Sequence, residues 1–173
     1  MKKYILIGLV FIGIVSAAGV AYAAIYTGSP NSCSTTSWIN CSDAFSSNDV
    51  YTGGATGALG IWTNYSLGLP SSFTVTKVEI GVEDYKRVSG QACLASTVSV
   101  EASIDGGGSF GQLHSVNLAG CDGVITWVDI TSDFASSSWT PIALSSSSFQ
   151  VRMGCTSTAS CLVDWVPVRV TTQ

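Results

Sequence analysis

Residues 73–85 have the sequence FTVTKVEIGVEDY, and this stretch decides the fold class. Apolar and polar residues alternate along it, which indicates a β-strand with one face turned toward a core. The alternation changes phase at Thr76-Lys77, and such a change predicts a β-bulge. The residues predicted to face the core are Phe73, Val75, Val78, Ile80 and Val82, and those predicted to face away are Lys77, Glu79 and Glu83.

Stretches of the same character fill the rest of the chain. Runs rich in Val, Ile, Thr and aromatic residues are separated by Gly, Ser, Pro and Asp, and no helical periodicity of useful length follows residue 26. Several positions of residues 105–110, DGGGSF, tolerate a positive φ and predict a turn. The predicted strands fall within residues 59–69, 73–85, 96–104, 113–119, 123–130, 149–155 and 161–172.

Seven or eight short antiparallel strands of this kind predict an all-β, two-sheet sandwich. Residues 131–148 form the longest connection, and we expect them to cross between the sheets with Phe134, Trp139 and Leu144 buried. Because long crossovers fit Greek-key wiring, a jelly roll is the predicted architecture.

The N-terminus has the features of a secretory signal. Lys2 and Lys3 precede an uncharged apolar run, and Ala21-Tyr22-Ala23 matches the pattern that predicts cleavage before Ala24. Without cleavage, residues 4–26 are long enough for a helix that spans a membrane, which takes about 20 apolar residues. Either outcome predicts an extracellular or cell-surface location. The predicted units are a signal peptide or a membrane or filament helix at 1–23, an N-terminal segment at 24–37, and a β-sandwich at 38–173.

Six cysteines follow this signal, and an even number in a secreted chain predicts three disulfides. Loop geometry favours Cys155 with Cys161, which would lock a hairpin, and Cys33 with Cys41, which would close a small loop. Cys93 and Cys121 are then left as the third pair. Zinc is disfavoured because no pair has C-x₂-C spacing and the chain has one histidine.

The charge pattern excludes nucleic acid as a partner. Seven basic and eleven acidic residues give a net charge of −4, and charged residues are 10% of the chain against about 25% in ordinary soluble domains. The polar surface must therefore consist mostly of Ser, Thr, Asn and Gly. Such a surface suits glycan decoration, contact with sugars, or packing against copies of the same chain.

The sequence contains few residues that could form a catalytic centre. His114 is the one histidine and lies on a predicted strand, where a surface or sheet role is the usual one. Four carboxylates are candidates for a glycoside-hydrolase pair, but Glu79 and Glu83 fall on the polar face of one strand, where a solvated edge is the usual explanation. We therefore predict that the protein is not an enzyme. These carboxylates are Glu79, Glu83, Asp84 and Glu101.

A calcium site is the best metal hypothesis, and no other cofactor is expected. Oxygen ligands suit Ca²⁺, although Asp and Asn in turns more often cap their own backbone. The candidate ligands are Asp43, Asn48, Asp49 and Asp164.

Aromatic residues and glycosylation sequons supply the remaining candidate sites. In residues 59–69, LGIWTNYSLGL, the alternation places Leu59 and Tyr65 on one face, and Trp62 with Tyr65 is a candidate sugar-stacking pair. Asn40-Cys41-Ser42 and Asn64-Tyr65-Ser66 are sequons, so Asn40 and Asn64 are candidate glycosylation sites.

Several segments resemble a jelly-roll module of archaeal and bacterial surface proteins and phage tail fibres. They are WINCSDAFSSNDVYTGG (38–54), LGIWTNYSLGLPSSFTVTKVEIGVE (59–83), SIDGGGSFG (103–111), WTPIALSSSSFQVRM (139–153) and LVDWVPVRV (162–170). This resemblance implies display, adhesion or assembly outside the cell, without shared catalytic residues. The apolar N-terminus with a Ser/Thr-rich β domain also resembles archaeal pilins, although the acidic residue of type IV pilins is missing from the apolar run.

Two functions follow as predictions. The first is a structural subunit of a surface filament, pilus or coat, in which residues 24–37 add as a donor strand to a neighbouring copy. The alternative is a secreted module that binds carbohydrate or another surface component and serves adhesion. The predicted partners are accordingly copies of the same chain or surface glycans, with membrane contact only through residues 4–26 if they are uncleaved.

Overall fold

The computed structural model describes residues 23–35, 37–86, 93, 95–118 and 120–173. Within these ranges twelve strands form two antiparallel sheets, so the predicted all-β sandwich is confirmed. The predicted signal or anchor helix lies, up to Tyr22, outside the described residues. In the described part of the chain, no helix is both long enough and apolar enough to cross a membrane.

The strands have the following bounds. In chain order they are β1 Ala24–Gly28, β2 Ser32–Thr35, β3 Trp38–Ile39, β4 Thr52–Gly54, β5 Leu59–Thr63, β6 Val75–Asp84, β7 Ser96–Ser103, β8 His114–Leu118, β9 Ile125–Asp129, β10 Gln150–Cys155, β11 Cys161–Trp165 and β12 Val168–Thr172. One α-helix, α1 Pro141–Ser145, is present among the described residues, together with short 3-10 helices at Cys41–Ala44, Thr131–Asp133 and Ser136–Ser138.

The longer sheet, sheet A, has seven strands centred on β6. β9 lies along one edge of β6, and β11 and β12 lie end to end along the other edge. Beyond β12 comes β1, and beyond β11 come β4 and β3. The second sheet, sheet B, has the order β2-β5-β10-β7-β8.

The core lies between the two sheets and is filled by apolar side chains from both. Burying each of the larger ones contributes about 1.5–3 kcal/mol relative to leaving it exposed. The largest fully buried side chains include Trp62, Phe149, Ile80, Leu118, Ile130, Leu144 and Met153.

The alternation predicted for residues 73–85 is confirmed within β6, but Phe73, predicted to face the core, precedes the strand and is 36% exposed. Val78, Ile80 and Val82 are fully buried, and the pairing of β6 with β12 skips Thr76, which is the predicted bulge. In β5 the face that includes Leu59 points outward, because Leu59 is 48% exposed while Trp62 is buried. β5 ends at Thr63, and Asn64 has a left-handed φ of 58°, which turns the following Tyr65 inward as well.

Residues 161–172 form two strands rather than one. Pro167, which has no backbone N–H to donate, separates β11 from β12, and both strands still pair with β6. The crossover at 131–148 buries Trp139 and Leu144 as predicted, while Phe134 is partly buried and packs against Trp139.

The three disulfides have the predicted pairing: Cys33–Cys41, Cys93–Cys121 and Cys155–Cys161. The expectation that Cys155–Cys161 locks a hairpin is wrong. β10 belongs to sheet B and β11 to sheet A, so this disulfide connects the two sheets at a corner of the sandwich.

Residues 24–37 are part of the sandwich, in contrast to the predicted separate donor segment. β1 pairs with β12 of sheet A, and β2 pairs with β5 of sheet B. The connector between them contains Pro30, which cannot continue a strand ladder and lets the chain change sheets. Within this chain the backbone of residues 24–28 and 32–35 is thus already paired in the two sheets.

Candidate functional site

A polar cleft opens where β6 ends. It has a volume of about 200 Å³ and lies between the loop that precedes β4, the residues that follow β6, and the loop that precedes β9. We call it the acidic cleft. Its lining residues are Ser47, Asn48, Asp49, Glu83, Lys86, Asp122 and Gly123.

One wall of the cleft is a tight loop held by Asp164. The backbone N–H groups of Asn48 and Asp49 donate to the Asp164 carboxylate at 3.2 and 3.0 Å. Asn48 Oδ1 also accepts from the backbone N–H of Val50 at 2.9 Å, and Asp49 has a left-handed φ of 60°. The loop therefore exposes the side chains of Asn48 and Asp49 on a fixed backbone.

Glu83 forms the floor of the cleft. It is the last residue but one of β6, is 6% exposed, and accepts a 2.9 Å hydrogen bond from Ser47 Oγ at its Oε1. Its Oε2 is buried and has no hydrogen-bond partner among the described residues. Burial raises the pKa of Glu83, and the nearby charges of Asp164 and Asp49 raise it further.

The opposite wall is built from Lys86, Asp122 and Gly123. An isolated β-bridge pairs Lys86 with Asp122, and Gly123 takes a left-handed φ of 72° in the turn. Tyr51 donates a 2.6 Å hydrogen bond from its hydroxyl to the backbone carbonyl of Lys86. The Cys93–Cys121 disulfide ends directly beside this wall.

Asp84 fixes this wall from inside the molecule. Its Oδ2 accepts a short hydrogen bond from the backbone N–H of Cys121, while its Oδ1 has no partner in the described part of the chain. Burial raises the pKa of Asp84 despite these backbone hydrogen bonds. Two neighbouring carboxyl groups, Glu83 and Asp84, are thus both desolvated at the end of β6.

The structure brings together three of the four candidate calcium ligands. Asn48, Asp49 and Asp164 meet at the loop, whereas Asp43 lies in the 3-10 helix at Cys41–Ala44. The Asp164 carboxylate already accepts two backbone N–H groups. In the described ranges no group of three or more His, Cys, Asp or Glu side chains is arranged to hold a metal ion. Calcium binding stays a prediction.

The proposed sugar-stacking pair lies in the core, and that prediction is contradicted. Trp62 is 0% exposed and donates from Nε1 to the carbonyl of Cys41 at 3.1 Å, and Tyr65 is 3% exposed against Phe149. A ring must be accessible on one face to stack on a sugar, and neither ring is.

Both candidate glycosylation sites are accessible turns. Asn40 and Asn64 are exposed and have left-handed φ values of 54° and 58°. Their modification stays a prediction.

Three of the candidate catalytic residues, His114, Glu79 and Glu101, contact oppositely chargeable side chains at separate places. His114 Nε2 lies 3.0 Å from Asp133, Glu79 pairs with Arg169 and Lys77, and Glu101 pairs with Arg152. Only Glu83, of the carboxylates considered, lines the cleft.

Sequence reasoning missed Ser47, Lys86, Asp122 and Gly123 as site residues. The available signal was the turn sequence CDG at 121–123, in which Cys121 was expected to form a disulfide with a cysteine distant in the sequence. That signal indicates a loop but does not say which other loop it meets.

The fold is similar to that of the family 32 carbohydrate-binding module of C. perfringens NanJ, whose structure contains galactose. The TM-score is 0.50 at 14% sequence identity, and the match covers 84% of this chain and 99% of that module. At this identity the similarity shows a common β-sandwich fold. No protein-family model matches the chain, and no curated protein matches it. The predicted resemblance to pilins and phage tail fibres gains no support from these comparisons.

Proposed function

We propose that this protein is an extracellular carbohydrate-binding module that holds a saccharide in the acidic cleft. The observation that carries the proposal is the buried Glu83 Oε2, which has no partner in the described residues and belongs to a side chain that lines the cleft. Buried polar atoms are nearly always hydrogen-bonded, so a lone one at a cleft wall favours a ligand or water as its partner.

The chemistry of the cleft suits a molecule covered with hydroxyl groups. The carboxylates of Asp49, Glu83 and Asp122 accept hydrogen bonds, while the Lys86 ammonium group donates them. A saccharide hydroxyl donates and accepts at once, so it can use both kinds of group. A few fixed polar groups of this type are what orient a small ligand in its site.

The comparison with known structures supports this choice over self-assembly. The C. perfringens module that shares the fold was solved with galactose, whereas no finding supports a filament of this chain. Three disulfides agree with an oxidising compartment outside the cytoplasm. The sandwich places its cleft where loops meet at the end of β6.

Titration of the ¹⁵N-labelled protein with neutral hexoses, amino sugars and acidic sugars tests the proposal by NMR. We expect at least one saccharide to shift the amide signals of Asn48, Asp49 and Gly123. Glu83→Gln should weaken that binding by about tenfold or more, since the charged acceptor is lost. Glu101→Gln is the matched control, because Glu101 is another largely buried glutamate, paired with Arg152 on the outer face of sheet B.

Two results would contradict the proposal. In the first, saccharides shift only residues of the outer face of sheet B, such as Ile61 and Arg152. In the second, no saccharide binds and light scattering shows growing polymers of the protein, which would restore the filament prediction.

A further inference from the structure

Acidic side chains at the cleft lack the cationic partners that four acidic side chains elsewhere among the described residues have. Glu79, Glu101 and Asp129 each lie within 4 Å of a Lys or Arg nitrogen, and Asp133 lies 3.0 Å from His114. Among the described residues, no such ion pair involves the carboxylates at or behind the cleft. These are Asp49, Glu83, Asp84, Asp122 and Asp164.

Among the described residues, the balance of charge at the cleft is negative. Three carboxylates and one ammonium group line it, and Asp84 and Asp164 lie directly behind Glu83 and the Asn48 loop. Buried charges in proteins are normally paired, because removing an ion from water without a partner costs several kcal/mol. The cleft therefore favours a ligand that carries a positive charge and disfavours an acidic saccharide.

The free acceptor at Glu83 requires a donor. An ionised carboxylate only accepts hydrogen bonds, and Oε2 is the oxygen left over after Ser47 has donated to Oε1. Among the residues described, no group of three or more His, Cys, Asp or Glu side chains is arranged to hold a metal ion. An organic ammonium group fits better, because it donates three hydrogen bonds and carries one positive charge.

The size of the cleft limits the rest of the ligand. A volume of about 200 Å³ is below the roughly 300–1,000 Å³ of pockets that enclose drug-sized molecules. This space suits one sugar ring with its substituents and leaves any further residues of a glycan in solvent.

We propose, building on the function proposed above, that the acidic cleft binds a sugar residue with a free amino group and that the ammonium nitrogen donates to Glu83 Oε2. The sugar hydroxyls then hydrogen-bond to Asp49, Asn48 and Asp122 at the rim. Lys86 opposes the ammonium charge from the other wall and limits the affinity.

Isothermal titration at neutral pH with glucosamine and galactosamine, each paired with its N-acetyl form and its parent hexose, tests the inference. We expect the free amine to bind at least about tenfold more tightly than the N-acetyl sugar, because acetylation removes the charge. Glu83→Gln should abolish this preference, and Lys86→Gln should increase affinity for the amine. Glu101→Gln and Lys77→Gln are the matched controls and should change neither.

Asp122→Asn provides a second variant in case Glu83→Gln fails to fold. Asp122 is exposed, and an asparagine retains the Oδ1 that accepts from the N–H of Val124, so only the charge is removed. It should reduce the preference for the amine several-fold. If neutral or N-acetyl sugars bind as tightly as the amine, the inference is overturned while the carbohydrate-binding proposal stands. If a lysine peptide binds and no saccharide does, both are overturned.

Discussion

Burial of the Glu83 carboxyl group in the folded protein destabilises its ionised form. Burial raises its pKa above the ordinary value, so the folded chain holds its proton more tightly than the unfolded chain does. The stabilising contribution of the group is therefore complete below the ordinary glutamate pKa, near 4.3, and is lost as pH rises through the raised pKa. Glu79, on the same strand, has the opposite shift, because the hydrogen bond from Arg169 lowers its pKa.

This contrast gives a prediction for two matched variants. Between about pH 4 and pH 7, Glu83→Gln should gain stability relative to the unmodified protein, because the variant avoids the cost of ionising a buried acid. Glu79→Gln should lose relative stability as pH rises toward the ordinary glutamate pKa and should show no further change above it, since the lowered pKa keeps Glu79 ionised in the folded chain while the unfolded chain is still protonated. Urea unfolding at several pH values measures both slopes. Parallel curves for the two variants would contradict the assignment of Glu83 as a desolvated acid.

Single residues also show where sequence reasoning ends. Trp62 and Tyr65 were predicted as a sugar-stacking pair, but both rings lie in the core. A regular alternation from Leu59 places these two residues on opposite faces, and the left-handed backbone at Asn64, between them, turns both toward the same side. Asparagine tolerates this conformation better than most residues, but the sequence alone does not say which asparagine adopts it.

At the level of elements, strands with long regular alternation were predicted well. β6 and β7 bury the expected residues, and even the bulge at Thr76 was readable from the change of phase. The short strands β1 to β4 were not predicted individually, because two to five residues carry too little periodicity to be distinguished from a loop. Their strand character comes from partners far along the chain.

The disulfides are elements whose separate roles can be tested. Cys93–Cys121 spans 28 residues and Cys33–Cys41 spans 8, so loop entropy predicts losses of about 3.5 and about 2.5 kcal/mol when each bridge is removed. Cys121 precedes the lining residues Asp122 and Gly123, so replacing the Cys93–Cys121 pair by alanine should also weaken saccharide binding. The Cys33–Cys41 double alanine variant should unfold more easily but bind normally. Equal binding by both variants would show that the bridge does not support the cleft wall.

The whole molecule explains why the cleft could not be read from the sequence. Its lining comes from residues 47–49, 83–86 and 122–123, which are separated by some 35 residues each time along the chain and meet only because β6 pairs with β9 and β11. Charge and cysteine number can be read directly from the sequence, and the all-β class was predicted from it, although the predicted seven or eight strands are twelve in the structure. Which loops share one end of the sandwich depends on strand order, and the sequence carries no local signal for it.

Strand order also makes the first strand, β1, and the last strand, β12, unequal in their importance for folding. β1 lies at an edge of sheet A and pairs only with β12, whereas β12 lies between β1 and β6 and provides the buried side chains of Val168 and Val170. Deleting residues 168–173 should therefore prevent folding, because the ladder of β6 and part of the core are lost together. Deleting residues 24–28 should leave a cooperative fold of lower stability, with the edge of β12 newly open to other strands. Circular dichroism during heating and light scattering at increasing concentration compare the two deletions. Because β1 covers that edge within its own chain, we expect the full protein to be monomeric and the variant without β1 to self-associate. If the full protein forms polymers, assembly must use a surface other than the edge of β12.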